Sequence, residues 1–219
     1  MSTSQVFAAG GIVMWPLLLF SIVTFILSIE RLVFWLRVNR RQRSLIKRVL
    51  NTYRHHPEGV FPILKENLNF PIARVFLEAL ELDRASPNQF RLALEGATQA
   101  EIPLLRRFNV VFQTIVAVSP LLGLLGTILG LIRSFSAIRI GQVGANAEAV
   151  TGGISEALVS TAAGMLVAII TLLFANLFRA FYKRQVALLQ EYGSQLEILY
   201  EWNYRDNHPR QEDHARIGG

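Results

Sequence analysis

Hydroxyl and carboxyl side chains lie inside two long apolar runs of this chain, where polar groups are costly and therefore informative. Thr127 lies in the run 110–132, Thr161 lies in the run 154–178, and Glu156 is the only ionisable residue of either run. Hydroxyls in such a run can hydrate a passage or hold a proton donor in register, and a carboxylate there must face protein or water. These side chains could therefore handle water or protons within an apolar environment.

Small and hydroxyl residues recur at helical spacing around these sites. Each run carries one stripe, and the members are Ser119, Gly123, Thr127, Gly130 and Ser134 in the first and Ala157, Thr161, Gly164, Ala168, Thr171 and Ala175 in the second. Gly126 adds a second small residue beside the first stripe. Small faces let two helices approach closely, and they can also line a narrow lumen. For the glycines we favour helix packing, and for Pro120 a local loosening of the helix, with a hinge as the alternative.

The positions of these residues along their helices add two expectations. Thr127 precedes Phe135 by eight residues and Thr161 follows Gly153 by eight, so both hydroxyls are expected about 12 Å below the same membrane rim. Glu156 lies near the predicted start of its helix, where the helix dipole stabilises an acid. An interfacial acid stabilised by the dipole is therefore the alternative to a functional carboxylate.

The elements that position these residues are transmembrane helices. Hydrophobic residues make up 52% of the 219 residues and charged residues 17%, and the apolar residues are collected in three runs. A helix needs about 20 apolar residues to cross about 30 Å of hydrocarbon. The chain is too short to surround three such helices with polar layers of its own. We therefore predict an all-α membrane protein with three transmembrane helices and long helices that extend into the cytoplasm.

Basic residues are distributed asymmetrically about the three runs. Thirteen Lys and Arg lie between Arg37 and Arg107 and six from Arg179 onward, against only Arg133 and Arg139 between the second and third runs. Basic loops stay on the cytoplasmic side, so the N-terminus is predicted to lie outside and the C-terminus in the cytoplasm. The net charge of +6 then reflects orientation and contact with the anionic headgroups of the lipid bilayer, and no nucleic-acid partner is expected.

The predicted organisation follows from the runs and the loops between them. The segments are an outer N-terminus (1–10), transmembrane helices (11–36, 110–132 and 154–178), a helical cytoplasmic loop (37–109), an outer loop (133–153), a cytoplasmic helix extension (179–206) and a disordered tail (207–219). The resemblance described below makes the outer side the periplasm. Within the long loop, breaks are expected at His56-Pro57 and at Phe70-Pro71, because a residue before proline avoids the helical region. Ser86 is predicted to cap a helix that can continue into the second transmembrane helix without a full break.

Signatures of enzymes and of metal or nucleotide sites do not emerge from the sequence. The chain has no cysteine, and the glycines of the second run lie within a predicted membrane helix rather than between a strand and a helix. The histidines lie in predicted aqueous regions, and the adjacent His55 and His56 point to different sides of a helix. The first ten residues contain no Lys or Arg, unlike a secretory signal peptide, and are expected to be retained. We expect a protein that is not an enzyme and that has no metal or cofactor.

The two membrane motifs resemble those of the MotA/TolQ/ExbB proton-channel family, and of its TolQ/ExbB branch in particular. The matching segments are Ser119-Pro-Leu-Leu-Gly-Leu-Leu-Gly-Thr127 with Gly130, and Gly153-Ile-Ser-Glu-Ala-Leu-Val-Ser-Thr-Ala-Ala-Gly164. Ile29-Glu30-Arg31 after the first run is also similar. Both motifs are long, in the right order and on the right helices, whereas the cytoplasmic loop matches only in size and helical character.

The resemblance implies a helical bundle of several copies in the bacterial inner membrane, a homopentamer around a central pore. A single-span partner of the ExbD/TolR type would supply the protonatable Asp in that pore, and a TonB- or TolA-type transducer would carry the work to the outer membrane. Thr127 and Thr161 match the family's pore-facing threonines, and Glu156 matches its acidic residue. The resemblance makes the chain the channel-forming subunit of a motor driven by the proton-motive force.

Two other functions stay open at this point. A structural membrane scaffold would use Gly126 and Gly130 only to pack helices and would tolerate changes at Glu156. A stator of another motility system is the second alternative, although MotA itself has four spans and a larger cytoplasmic loop. The energised process, whether nutrient uptake, envelope constriction or gliding, is not specified by the sequence.

Overall fold

The computed structural model describes residues 10–82, 85–138 and 146–207, and this part of the chain is helical. The helices are α1 (Met14–His55), a short 3₁₀ helix (Pro57–Gly59), α2 (Val60–Glu66), α3 (Pro71–Leu80), α4 (Pro87–Leu105), α5 (Asn109–Ile138) and α6 (Asn146–Asn207). By length and composition, α1, the α4–α5 stretch and α6 can each cross a membrane. The predicted all-α membrane protein with three long apolar helices is confirmed. Residues 1–9 of the predicted N-terminal segment 1–10 and residues 208–219 of the predicted tail 207–219 lie outside the described residues.

The helix boundaries in the long loop lie where prolines predicted them. The first helix ends at His55, and the 3₁₀ helix begins at Pro57. α3 begins at Pro71, after Phe70 in an extended conformation. Ser86 caps α4 through a reciprocal pair of hydrogen bonds with Gln89, so two backbone N–H groups that the helix leaves unpaired find side-chain partners.

The helices on either side of the predicted loop 133–153 extend into it. α5 continues to Ile138 and α6 begins at Asn146, so both are longer than their apolar runs. Hydropathy marks where a side chain leaves the hydrocarbon, whereas the backbone continues its hydrogen bonds through polar and small residues. The ends of a helix and the ends of a membrane span are therefore separate quantities in this chain.

α4 ends at Leu105 and α5 begins at Asn109, so the two are separate helices. The sequence had left a single continuous helix possible. Phe108 adopts a left-handed conformation with φ of 65°, which is rare for a bulky side chain. The guanidinium of the buried Arg31 stands 5.1 Å from the centre of the Phe108 ring. This cation–π contact stabilises the residue that directly precedes α5.

The described residues divide into two compact units, to which α1 and α6 both contribute. The first unit lies within Met1–Leu32 and Phe108–Arg179, and the second lies within Val33–Arg107 and Ala180–Gly219. The second unit contains an ion pair between Arg74 and Glu101, a stacked pair of Phe90 and Tyr200, and a buried hydrogen bond between the amides of Gln42 and Gln185. The first unit contains all the residues that the membrane motifs singled out.

Candidate functional site

The candidate site lies in the first unit, where α5 and α6 pack closely against each other through glycine. Gly123, Gly126, Gly130 and Gly164 are all buried. A Cβ on Gly123 would stand 3.0 Å from the Cα of Thr161, and a Cβ on Gly164 would stand 2.5 Å from the carbonyl oxygen of Ser119. Backbone atoms occupy these positions and cannot move aside as a side chain can. The absence of a Cβ at these glycines therefore allows the close approach of the two helices.

The contacts run in opposite directions along the two helices. From one end to the other, Gly164 meets Ser119, Gly126 meets Ser160, and Gly130 meets Ala157. At the far end, Gly153 meets Ser134, whose hydroxyl donates 3.0 Å to the carbonyl oxygen of Val150. Small residues of the two stripes thus pack against each other within one chain.

Thr161 belongs to this helix contact. Its hydroxyl donates a hydrogen bond of 3.0 Å to the carbonyl oxygen of Gly123, and the side chain is half-buried. The neighbouring Ser160 is fully buried and donates 2.9 Å to the carbonyl oxygen of Ala157 in its own helix. Thr161 therefore joins α5 to α6 while it keeps part of its surface outside the contact.

Thr127 stands beside the glycine face rather than within it. Its hydroxyl donates 2.6 Å to the carbonyl oxygen of Leu124, in the previous turn of the same helix. The buried members of this helix face include Gly123, Gly126 and Gly130, whereas Thr127 is half-buried. The helix contact does not use this hydroxyl, which distinguishes it from that of Thr161. The equal depth of the two threonines stays a prediction.

Pro120 lies one turn before Gly123 within the continuous helix α5. Proline lacks the N–H that would bond to the previous turn. Next to it, the buried Ser119 donates 2.7 Å to the carbonyl oxygen of Ile115, so a side chain occupies one of the acceptors in this region. The hinge role of Pro120 stays a prediction.

Glu156 is paired with Arg133 across the same helix contact. One nitrogen of Arg133, Nη1, lies 2.7 Å from Oε1 and 2.6 Å from Oε2 of the carboxylate. The Glu156 side chain is 14% exposed, whereas that of Arg133 is 58% exposed. The Glu156 carboxylate is thus largely buried, whereas the Arg133 side chain that binds it is exposed.

The dipole interpretation of Glu156 is wrong. The helix α6 begins at Asn146, ten residues before Glu156, and the dipole effect is confined to the first turn. The sequence suggested a helix start near residue 154 because the apolar run begins there. The stabilising charge comes from Arg133 on another helix.

Gly11 packs directly against the carboxylate of Glu156. It has a left-handed backbone with φ of +68°, and a Cβ at this position would collide with the Glu156 carboxylate. The role of Gly11 was not predicted from the sequence, in which Arg133 counts only as a loop charge. A signal was available for Arg133, since it is a lone arginine at the end of one apolar run and the lone acid Glu156 begins the next.

The first helix is attached to this assembly by the buried hydroxyl of Thr24, to which the sequence pattern assigned no role. The hydroxyls of Thr24 and Thr171 lie 3.0 Å apart, and Thr171 donates 2.7 Å to the carbonyl oxygen of Val167. The proton between the two threonines therefore comes from Thr24. The spacing of the buried Thr24, Ser28 and Arg31 along one face of α1 was the available signal.

The histidines add no site among the residues that the structure describes. His55 and His56 are both exposed at the end of α1. No group of three or more His, Asp or Glu side chains within the described ranges could hold a metal ion. His208 and His214 lie outside those ranges.

Comparison with known proteins covers the site residues. The model of the MotA/TolQ/ExbB proton channel family matches residues 67–191, which include Arg133, Glu156 and both threonines but not Gly11 or Thr24. A putative biopolymer transport protein ExbB-like 3 of Synechocystis sp. is 57% identical over 94% of this chain and 98% of its own length.

Two further relatives have similar names. The putative ExbB-like 1 protein of Synechocystis sp. is 38% identical, over 92% of this chain and 80% of that protein. The biopolymer transport protein ExbB of Neisseria meningitidis is 32% identical, over 73% of this chain and 77% of its own length. The similarity to the first two extends over all three apolar helices.

Proposed function

From its membership of the MotA/TolQ/ExbB proton channel family, on the ExbB/TolQ branch, we propose that this chain is the channel-forming subunit of an inner-membrane motor driven by the proton-motive force. Proteins of this family are channel and transport proteins, and the chain is not an enzyme. Its work is to surround a proton path and to convert proton flow into motion of one component against another.

The observation that carries the proposal is the paired carboxylate at one end of the α5–α6 contact. Glu156 is the only acid between residues 150 and 178, and it is held 2.6 Å from Arg133 in a region of otherwise apolar and small residues. Ionisable groups at such positions mark ion pathways more often than structural contacts. Thr127 and Thr161 continue the path as hydroxyls that are only half-buried in the single chain.

This path is incomplete without other chains. The described side chains of α5 and α6 place no acid near the middle of the apolar runs, so the proton carrier must come from elsewhere. A single-span partner of the ExbD/TolR type, with one Asp in its helix, supplies that group. Three helices are too few to enclose a path and a partner helix, so a homo-oligomer, of five copies by family resemblance, forms the channel.

The orientation follows from the basic residues. The thirteen Lys and Arg between Arg37 and Arg107 favour a cytoplasmic second unit, with the N-terminus and the α5–α6 connection on the periplasmic side. A TonB- or TolA-type transducer would then receive the motion on the periplasmic side and carry it toward the outer membrane. On this orientation, Arg133 and Glu156 stand at the periplasmic end of the path.

Proton flux through the purified complex tests the proposal. The complex, isolated with whatever small single-span protein co-purifies, is placed in lipid vesicles with a trapped pH-sensitive dye, and a pH gradient is imposed. We expect flux in the native complex, and its loss in Thr127→Val, which keeps the side-chain volume and removes the hydroxyl. Thr114→Val is the matched control, because Thr114 also bonds to its own helix backbone and is exposed near the start of α5.

A structural scaffold is the second candidate, and the close glycine packing between α5 and α6 is the observation that favours it. The two functions differ at Glu156. A channel subunit loses flux in Glu156→Gln, whereas a scaffold keeps its activity there and is sensitive at Gly126 and Gly130. Full flux in both Thr127→Val and Glu156→Gln would overturn the channel proposal.

A further inference from the structure

The ion pair between Arg133 and Glu156 differs from the arrangement that an arginine usually forms with a carboxylate. A single guanidinium nitrogen donates to both carboxylate oxygens, at 2.7 and 2.6 Å, instead of two nitrogens in the parallel arrangement that arginine prefers. The carboxylate is 14% exposed and therefore depends on this donor, since a withdrawn carboxylate without a partner is strongly disfavoured. Arg133 lies on α5 and Glu156 on α6, so the contact also spans two helices.

The segment before α1 limits where the carboxylate can go. Gly11 approaches it so closely that even a methyl group would occupy the same space. A Cβ on the preceding Gly10 would meet the apolar side chains of Met14 and Val159. Among the described residues that pack here, Arg133 is the cation that faces Glu156. The carboxylate is thus held between a charge on one side and a glycine on the other.

We propose that Arg133 is a positioning residue for Glu156 and that Gly11 provides the space that this position requires. Arg133 orients the carboxylate across the α5–α6 contact, and a proton that passes Glu156 must first separate the pair. The orienting role stands on geometry alone, whereas its consequence for proton flux rests on the proposed function. Gly11 lies just before α1 and outside residues 67–191, the segment that the family model matches.

The orienting role is tested by infrared spectroscopy of the purified complex in lipid bilayers. The carboxylate bands of Glu156 are isolated as the difference between the native protein and Glu156→Gln. We expect these bands to shift in Arg133→Gln, which removes the cation, and in Gly11→Ala, which keeps both charges and displaces the carboxylate. Unchanged bands in Arg133→Gln would overturn the proposal.

Matched variants distinguish a displacement of the Glu156 carboxylate from a general disturbance of the structure. Arg179→Gln removes an exposed arginine of the same unit, and Gly152→Ala adds a methyl group where nothing lies within 4 Å. Both should leave the Glu156 bands unchanged. Arg133→Lys restores a cation and guards against a variant that fails to assemble, and it should return the bands toward their native position. A shift in Gly152→Ala as large as that in Gly11→Ala would contradict the role of Gly11.

Proton flux then tests the consequence. We expect Arg133→Gln to lower flux per assembled complex about tenfold or more, as the loss of a charged hydrogen bond at a required step would, and Arg133→Lys to retain most of it. If Glu156→Gln abolishes flux and Arg133→Gln does not, the channel function stands and the positioning role is wrong. If the bands shift but neither variant changes flux, the orienting role stands and the proposed proton path through Glu156 fails.

Discussion

The hydroxyl oxygen of Thr161 lies 3.0 Å from the carbonyl oxygen of Gly123 and donates a hydrogen bond to it across the contact between α5 and α6. Thr127 makes no such contact, because its hydroxyl bonds to Leu124 in its own helix. Two threonines that look equivalent in the sequence therefore differ in what their replacement does to the fold.

Thr161→Val should lower the free energy of unfolding by about 0.5–1.5 kcal/mol, the usual worth of a hydrogen bond between membrane helices. Thr127→Val should change it by less, because only a bond within one helix is lost. Unfolding in mixed detergent micelles, followed by circular dichroism, measures both. Thr161→Ser retains the hydroxyl and is the control. An equal loss of stability in both valine variants would contradict the assignment of Thr161 to the helix contact.

Gly123→Ala and Gly130→Ala should each destabilise the protein by about 1–3 kcal/mol, because the added methyl group meets backbone. The nearest atoms are the Cα of Thr161, at 3.0 Å from the Gly123 position, and the carbonyl oxygen of Gly153, at 2.5 Å from the Gly130 position. The same detergent unfolding experiment measures the change.

Gly152→Ala is the control for this series, since it adds a methyl group in open space on the same helix as Gly153. Alanine is the better helix former, so this variant should be neutral or slightly more stable. A destabilisation of Gly152→Ala equal to that of Gly123→Ala would point to flexibility rather than packing as the reason for glycine.

Glu101→Gln should destabilise the second unit by about 2–3 kcal/mol, because Arg74 loses a partner and the amide cannot accept two charged hydrogen bonds. The pair is bidentate, at 2.6 and 2.7 Å, with the Glu101 side chain only 8% exposed and that of Arg74 33% exposed. The partial exposure of Arg74 keeps the expected loss below that of a fully buried pair. Chemical denaturation followed by fluorescence measures it.

Arg91→Gln provides the comparison, because Arg91 forms an exposed pair with Glu95 one turn away on α4. Such pairs contribute about 0.5 kcal/mol or less. A loss of stability in Arg91→Gln that matches the loss in Glu101→Gln would remove the distinction between the buried and the exposed pair.

Tyr53 should ionise at unusually high pH. Burial raises the pKa of its hydroxyl from 10.0 to about 12, and the hydrogen bond with Asn203 offsets only part of this effect. The folded protein therefore keeps a proton between these values that the unfolded chain releases. The stability that this residue contributes is complete below pH 10 and is lost as the pH rises through the folded pKa, by about 1 kcal/mol near pH 11.

Tyr53→Phe tests this dependence. The variant should lose less stability than the native protein between neutral and strongly alkaline pH, and the last phase of tyrosinate absorbance should disappear from the alkaline titration. Tyr192→Phe is the matched control for the loss of a tyrosine hydroxyl elsewhere in the second unit. A last phase that survives in Tyr53→Phe would contradict the assignment.

Local chemistry made much of this protein predictable from its sequence. Three apolar runs specified three long helices, because a run of about 20 apolar residues has few other ways to satisfy its backbone in a membrane. Proline fixed the starts of α3 and α4, since its missing N–H is harmless only in the first turn. The lone acid Glu156 and the glycine motifs could also be recognised in the sequence, because they are defined by their positions along a single helix.

Only the tertiary structure decided which residues those groups meet. The partner of Glu156 is 23 residues away on another helix, and the partner of Thr161 is 38 residues away. The sequence by itself gave Arg133 the role of a loop charge and placed Glu156 at a helix start, whereas the structure pairs them. The physical reason is that such pairs depend on how far α5 and α6 are displaced along each other. That displacement is set by backbone contacts at glycine, which one helix alone cannot specify.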